Sequence, residues 1–162
     1  MTVREIHVHV ADFKVGGAGD TLLTIGLGSC VAVMLYDREA TVGGLAHVLL
    51  PSPSLSRREQ NPGKFPQSAI PLLLGEMAAA GANPRRVTAR IAGGASMFQN
   101  LQPSGTIQMG ERNAVAVRNV LAELNVPLVG SSVGGDYGRT VRFFISDGRI
   151  EVSAVRRGIE HL

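Results

Sequence analysis

The sequence predicts an α+β fold, a layered sandwich of mixed β-sheets, on three observations. About seven short apolar runs of strand length are separated by turns rich in Gly, Pro and Asp. Only two stretches carry helical periodicity. Strands and helices do not alternate one for one, which argues against a doubly wound nucleotide-binding sheet.

Taken in order, Ile6, Val8 and Val10 alternate with His7 and His9, the pattern of a half-buried strand. A glycine-rich turn at 16–20 leads to a short strand, Leu22 to Ile25, which runs into the turn Gly26-Leu27-Gly28-Ser29. After Cys30, residues 31–36 form a continuous apolar run, expected of a strand buried on both faces. Residues 42–50 form the next strand, which carries His47 and stops at Pro51. Residues 52–66 have the composition of a long loop, a candidate lid or partner-facing segment.

Ile70, Leu73, Leu74 and Met77 predict a helix over 68–80, with Ser68 as its cap and Gly81 as its stop. A strand at 87–92 enters the turn Gly93-Gly94-Ala95-Ser96-Met97-Phe98. A second helix is expected over 111–124, with Ala114, Val117, Leu121 and Leu124 on one face. There follow a short strand at 127–130, a turn at 131–139, and a closing hairpin of 140–145 with 150–155. No repeat or linker interrupts the 162 residues, which are read as one domain, 1–162.

Composition narrows the function. The net charge is only +3, and the basic pairs Arg57-Arg58, Arg85-Arg86 and Arg156-Arg157 are scattered without interleaved aromatics, so nucleic acid is not the expected partner. One cysteine builds neither a disulfide framework nor a Cys-x-x-Cys motif, which points to a reducing cytoplasm. The N-terminus lacks the apolar run of a signal peptide, and the longest apolar stretch, 69–82, is shorter than the ~20 residues of a membrane span. No membrane insertion is expected.

The chemistry centres on Cys30. A lone cysteine is ordinarily a small buried hydrophobe. Here it follows Gly26-x-Gly28-Ser29, a tight turn that can direct the N–H groups of Ser29 and Cys30 at a developing oxyanion. His47, one strand later, can lie beside it, and a thiol next to imidazolium has a lowered pKa. Thr24 can orient the imidazole through its hydroxyl, the third role of triad logic. His7, His9 and His161 are read as surface residues. Gly93-Gly94 and the segment 134–139 match neither phosphate-loop nor dinucleotide spacing and are read as turns lining a groove, with Asp136 and Arg139 touching substrate or each other.

Five blocks in this order resemble the bacterial chemoreceptor glutamine deamidase family, CheD: Leu27-Gly28-Ser29-Cys30-Val31, Gly44-Leu45-Ala46-His47 ending in Leu50-Pro51, the 93–98 turn, Gly110-Glu111-Arg112-Asn113, and Gly134-Gly135 with Gly138-Arg139. Ala46 and Ser132 depart from the residues common in the family, asparagine and aspartate. The resemblance implies Cys30 as nucleophile, His47 as general base and acid, and Thr24 as its support. Ser29, Gly28, Gly94 and Arg139 then lie at the oxyanion and substrate. It implies a fold related to cytotoxic necrotizing factor-type cysteine hydrolases, with helices packed outside the sheets, and no metal or organic cofactor. Substrates would be glutamines on the cytoplasmic helices of methyl-accepting chemotaxis proteins, and a CheC phosphatase a regulatory partner. The same thioester is reachable from a glutamyl methyl ester, giving a methylesterase side activity. Two rival readings stand below the enzyme: a non-catalytic adaptor that binds receptor helices or CheC through the same groove and, lower still, a basic nucleic-acid-binding module.

Overall fold

The structure, a computed structural model, describes residues 3–56, 61–97 and 108–162. Among these residues, ten strands and two α-helices run in the order β1 (Arg4–His7), β2 (Phe13–Gly16), β3 (Asp20–Leu27), β4 (Val31–Asp37), β5 (Val42–Val48), α1 (Pro66–Ala79), β6 (Thr88–Gly93), α2 (Met109–Glu123), β7 (Leu128–Val133), β8 (Arg139–Phe144), β9 (Arg149–Ala154) and β10 (Gly158–His161). They form two five-stranded sheets, β1-β3-β8-β9-β10 and β2-β5-β4-β6-β7. Both are mixed: β1 with β3 and β6 with β7 are parallel, and the other pairs are antiparallel. The predicted layered α+β class is what the chain forms.

β4 organises the layers. Its seven residues are all buried, because alternate side chains enter two different cores. Val31, Val33 and Leu35 pack with Ile70, Leu73 and Met77 of α1 and Val117 and Leu121 of α2. Ala32, Met34 and Tyr36 pack with Leu22, Val141, Phe143 and Val152 of the facing sheet. The layers are therefore sheet, sheet, helices. Burying each of these larger side chains stabilises the fold by roughly 1.5–3 kcal/mol. β5 is pressed from both sides, and a Cβ on Gly44 would come within 2.7 Å of Leu73 Cδ1. α1 can lie this close to β5 because position 44 has no side chain.

Several local expectations are corrected. Ser68 is not the cap of α1: the helix starts at Pro66, and the Ser68 hydroxyl donates to the Pro62 carbonyl at 2.6 Å. Proline at the first helical position has no N–H to leave orphaned, so no cap is needed there. Leu124 lies just past α2 as its C-cap and is exposed, while Asn113 and Val120 join the helix's buried face. The turn at 131–139 is shorter than expected, because β7 runs on to Val133. The expected loop at 52–66 contains two 3-10 turns, Pro53–Leu55 and Pro62–Lys64. Its second half is anchored, with Leu49 and Leu50 N–H both donating to the Lys64 carbonyl. Residues 57–60, including Arg57 and Arg58, and Phe98 lie outside the described residues.

Candidate active site

The end of the sandwich where β3, β5 and β6 finish and β4 begins gathers the predicted residues. Cys30 precedes β4 by one residue and shares the inter-sheet face with Ala32. Ala32 is the cross-strand partner of His47 in β5, so Cys30 and His47 are diagonal neighbours on one face. Ala46 and Val48 point at the helices, and strand alternation turns His47 the other way, toward the first sheet. There it meets Thr24 of β3, whose Oγ1 lies 2.7 Å from His47 Nδ1.

That contact fixes the imidazole tautomer. Thr24 Oγ1 donates its single proton to the Val8 carbonyl at 2.6 Å. It therefore has only lone pairs to offer His47, so Nδ1 carries the ring proton and donates. Nε2 is left as the basic nitrogen, buried and without a hydrogen-bond partner among the described residues. The backbone of His47 is equally constrained: its N–H donates to the Asp12 carbonyl, and its own carbonyl accepts from Ala11. Ala11 and Asp12 are the residues leading into β2, a strand the sequence did not announce, which pairs with β5 from Phe13 onward.

Burial sets the resting charge state. His47 is 1% exposed and Cys30 7% exposed. Burial, followed by the charge of His7, pushes the His47 pKa down to about 4, and burial pushes the Cys30 thiol up. The expectation of a thiol acidified by imidazolium is thus corrected. The resting pair is neutral thiol and neutral imidazole, because two charges in this interior would each lose solvation. His7, read as a surface residue, is half-buried, with its ring 4.0 Å from that of His9.

The turn around Cys30 is held by backbone contacts. Gly28 O accepts from Ala95 N–H, and Cys30 O accepts from Gly94 N–H at 2.8 Å. Gly93 has φ of +113°, and a Cβ there would lie 2.2 Å from Cys30 O. Only glycine admits that approach. The N–H groups of Ser29 and Cys30 donate to no backbone carbonyl among the described residues. Beside Ser29, a pocket of about 110 Å³ is lined by Ala95, Ser96, Met97, the N-cap residue Gln108 and the first two residues of α2, Met109 and Gly110.

Three residues expected at the groove, Arg139, Asp136 and Gly94, make contacts within the protein. Arg139 is buried, and donates to Ser132 Oγ at 3.3 Å, the Gly93 carbonyl at 3.3 Å, the Gly134 carbonyl at 2.8 Å and Tyr137 Oη at 3.1 Å. It ties the 93–94 and 134–138 turns together and also lines a surface pocket with Gly26, Tyr137 and Gly138. Asp136 pairs with Arg157 at 3.7 Å and not with Arg139. Gly94 commits its N–H to Cys30 O and so supports the turn from behind.

Asn113 went unassigned in the sequence beyond its place in a motif. Fully buried on α2, it donates from Nδ2 to Ser29 O at 2.9 Å and to Leu49 O at 3.1 Å. Among the described residues, no group of three or more His, Cys, Asp or Glu is arranged to hold a metal ion, and no helix is long and apolar enough to cross a membrane.

The chain is similar to known proteins in sequence and in fold. The family described as CheD chemotactic sensory transduction matches residues 49–154. A Clostridium kluyveri protein called a probable chemoreceptor glutamine deamidase CheD is 41% identical over 162 residues, covering all of both chains. A Clostridium acetobutylicum protein of the same description is 40% identical over 160 residues, 99% of this chain and 96% of its own. Among solved structures, a Neisseria meningitidis protein of the DUF152 family superposes with a TM-score of 0.54 at 13% identity, covering 90% of this chain and 71% of that one. That likeness concerns the fold alone. With full-length relatives at this level of identity and a matched family spanning most of the chain, the protein belongs to the CheD family.

Proposed function

We propose that the chain is a chemoreceptor glutamine deamidase, a protein-glutamine glutaminase in which Cys30 is the nucleophile, His47 the proton carrier and Thr24 the residue that fixes its tautomer. The observation that carries this reading is the Thr24 hydroxyl bonded to both Val8 O and His47 Nδ1. It leaves Nε2 as a base on the face that also holds the only thiol in the chain.

The neutral pair reacts as follows. As sulfur attacks the carboxamide carbon of a glutamine side chain, the thiol proton passes to His47 Nε2. The carbonyl oxygen becomes an oxyanion facing the Ser29 and Cys30 N–H groups. The imidazolium then gives its proton to the amide nitrogen, ammonia leaves, and the glutamyl group remains on sulfur as a thioester. Water enters, His47 Nε2 takes one of its protons, and the second tetrahedral species expels the sulfur. The sulfur regains that proton, so the net change is glutamine plus water to glutamate plus ammonia. Generating charge only during reaction suits a buried pair, since neither ion has to be stored in the resting protein.

The partners that go with this reading are the cytoplasmic helices of methyl-accepting chemotaxis proteins and, as regulator, a CheC phosphatase, with the cytoplasm as the setting. The test is peptide mass spectrometry on a receptor cytoplasmic fragment. Wild type should convert specific glutamines to glutamate, and Cys30→Ala should convert none. A folded wild-type protein that binds the fragment but leaves every glutamine intact would select the adaptor reading.

A further inference from the structure

We infer that Asn113 is a positioning residue: it orients the Ser29–Cys30 peptide so that the Cys30 N–H points at the reacting carbonyl oxygen. The inference rests on the cysteine hydrolase reading and extends it to a residue on a different layer of the fold.

The Ser29 carbonyl and the Cys30 N–H belong to one planar trans amide, in which they point in opposite directions. Asn113 Nδ2 holds that carbonyl at 2.9 Å from the α2 side. The Cys30 N–H is thereby turned away from α2, and it donates to no backbone carbonyl among the described residues. A hydrogen bond accepted at C=O also polarises the amide and makes its N–H a stronger donor.

The second Nδ2 proton reaches Leu49 O at 3.1 Å, two residues beyond His47. One side chain therefore ties the peptide of the nucleophile to the strand of the base. Both of its donors serve this end of the sandwich, while its Oδ1 is buried without a partner among the described residues. An asparagine kept there to satisfy itself would not leave its acceptor unmade. Gly110 brings the helix this close: a Cβ on it would lie 2.3 Å from Ala95 O and 2.5 Å from Gly94 O.

The test separates oxyanion stabilisation from thiol access. p-Nitrophenyl acetate acylates sulfur through a tetrahedral oxyanion, whereas iodoacetamide alkylates it by direct displacement with no oxyanion at all. Rates of both are measured on wild type and Asn113→Ala, with Cys30→Ala as the background. The expected result is an acylation rate down about 10²-fold in Asn113→Ala, with alkylation within about threefold of wild type. Asn113→Asp should regain part of the acylation rate at low pH, where a neutral buried carboxylic acid can donate to Ser29 O, and lose it as the acid ionises. Equal acylation in wild type and Asn113→Ala would overturn the inference. So would parallel losses in acylation and alkylation, which mark a collapsed site. Because neither reagent is a glutamine, the result stands or falls separately from the receptor assay. A wild type inactive on receptor fragments, yet showing the acylation split, would remove the deamidase reading and leave the role of Asn113.

Discussion

Thr24 Oγ1 and His47 Nδ1, 23 residues apart in sequence and on different sheets, meet at 2.7 Å in the interior. The Thr24 proton is already committed to Val8 O, so the hydroxyl can only accept from the ring. Replacing Thr24 with valine keeps the shape and removes the acceptor. The imidazole is then free to carry its proton on Nε2, the wrong nitrogen for a base. Thr24→Val should lower kcat by about 10²-fold with KM little changed, and Thr24→Ser should recover most of it. Steady-state kinetics on a receptor fragment checks this; a Thr24→Val enzyme with wild-type kcat would show that the tautomer is held by something else.

Rate against pH reports the charge state of the pair. His47 titrates at about 4 because burial and the charge of His7 disfavour its cation. The acid limb of kcat/KM should therefore fall near pH 4 and leave the profile flat across neutrality. The thiol is pushed up by burial, so iodoacetamide should modify Cys30 slowly at neutral pH and faster in alkali. A plateau of fast alkylation below neutrality would instead indicate a stored thiolate-imidazolium pair.

Stability should respond to the same histidine. The native His47 pKa of about 4 lies below its ordinary value of 6.5, so between those values the unfolded chain binds a proton that the folded one does not. Stability is fully present above about 6.5 and declines as pH falls toward 4, by up to about 3 kcal/mol. Urea midpoints across this range should show the decline in wild type and a shallower one in His47→Gln. Identical slopes would place the acid sensitivity elsewhere.

Gly93 is the tightest point behind the nucleophile. An alanine there would need its Cβ where Cys30 O already lies, at a φ of +113°. Gly93→Ala should cost about 2 kcal/mol or more in stability and displace the Cys30 turn. Denaturant unfolding together with the alkylation rate checks both. A variant of wild-type stability would mean that the turn relaxes without cost.

The fold was legible where the pattern was strong. The unbroken apolar run from Val31 to Tyr36 announced a strand between two cores, and β4 is that strand. β2 and β10 were not legible. Phe13-Lys14-Val15-Gly16 is too short and mixed to show alternation, and all four residues of β10 are exposed. Thr24 and His47 could be singled out because a polar residue on an apolar strand stands out against its neighbours. Asn113 did not stand out, since an asparagine in an amphipathic helix looks like its solvent face. The partners of Arg139 were hidden for the converse reason. Arginine beside glycines suggests an anion site, and its real partners, two turn carbonyls, a hydroxyl and a tyrosine, are brought together only by tertiary structure.

The acyl-enzyme itself is the most direct object to measure. Wild-type protein turning over a glutamine peptide from a receptor helix is quenched in acid, digested, and the peptide carrying Cys30 examined by tandem mass spectrometry. The account predicts that peptide with the substrate joined through its glutamyl carbonyl to sulfur, and the adduct disappearing after hydroxylamine. Turnover without any adduct, together with an active Cys30→Ala, would contradict it.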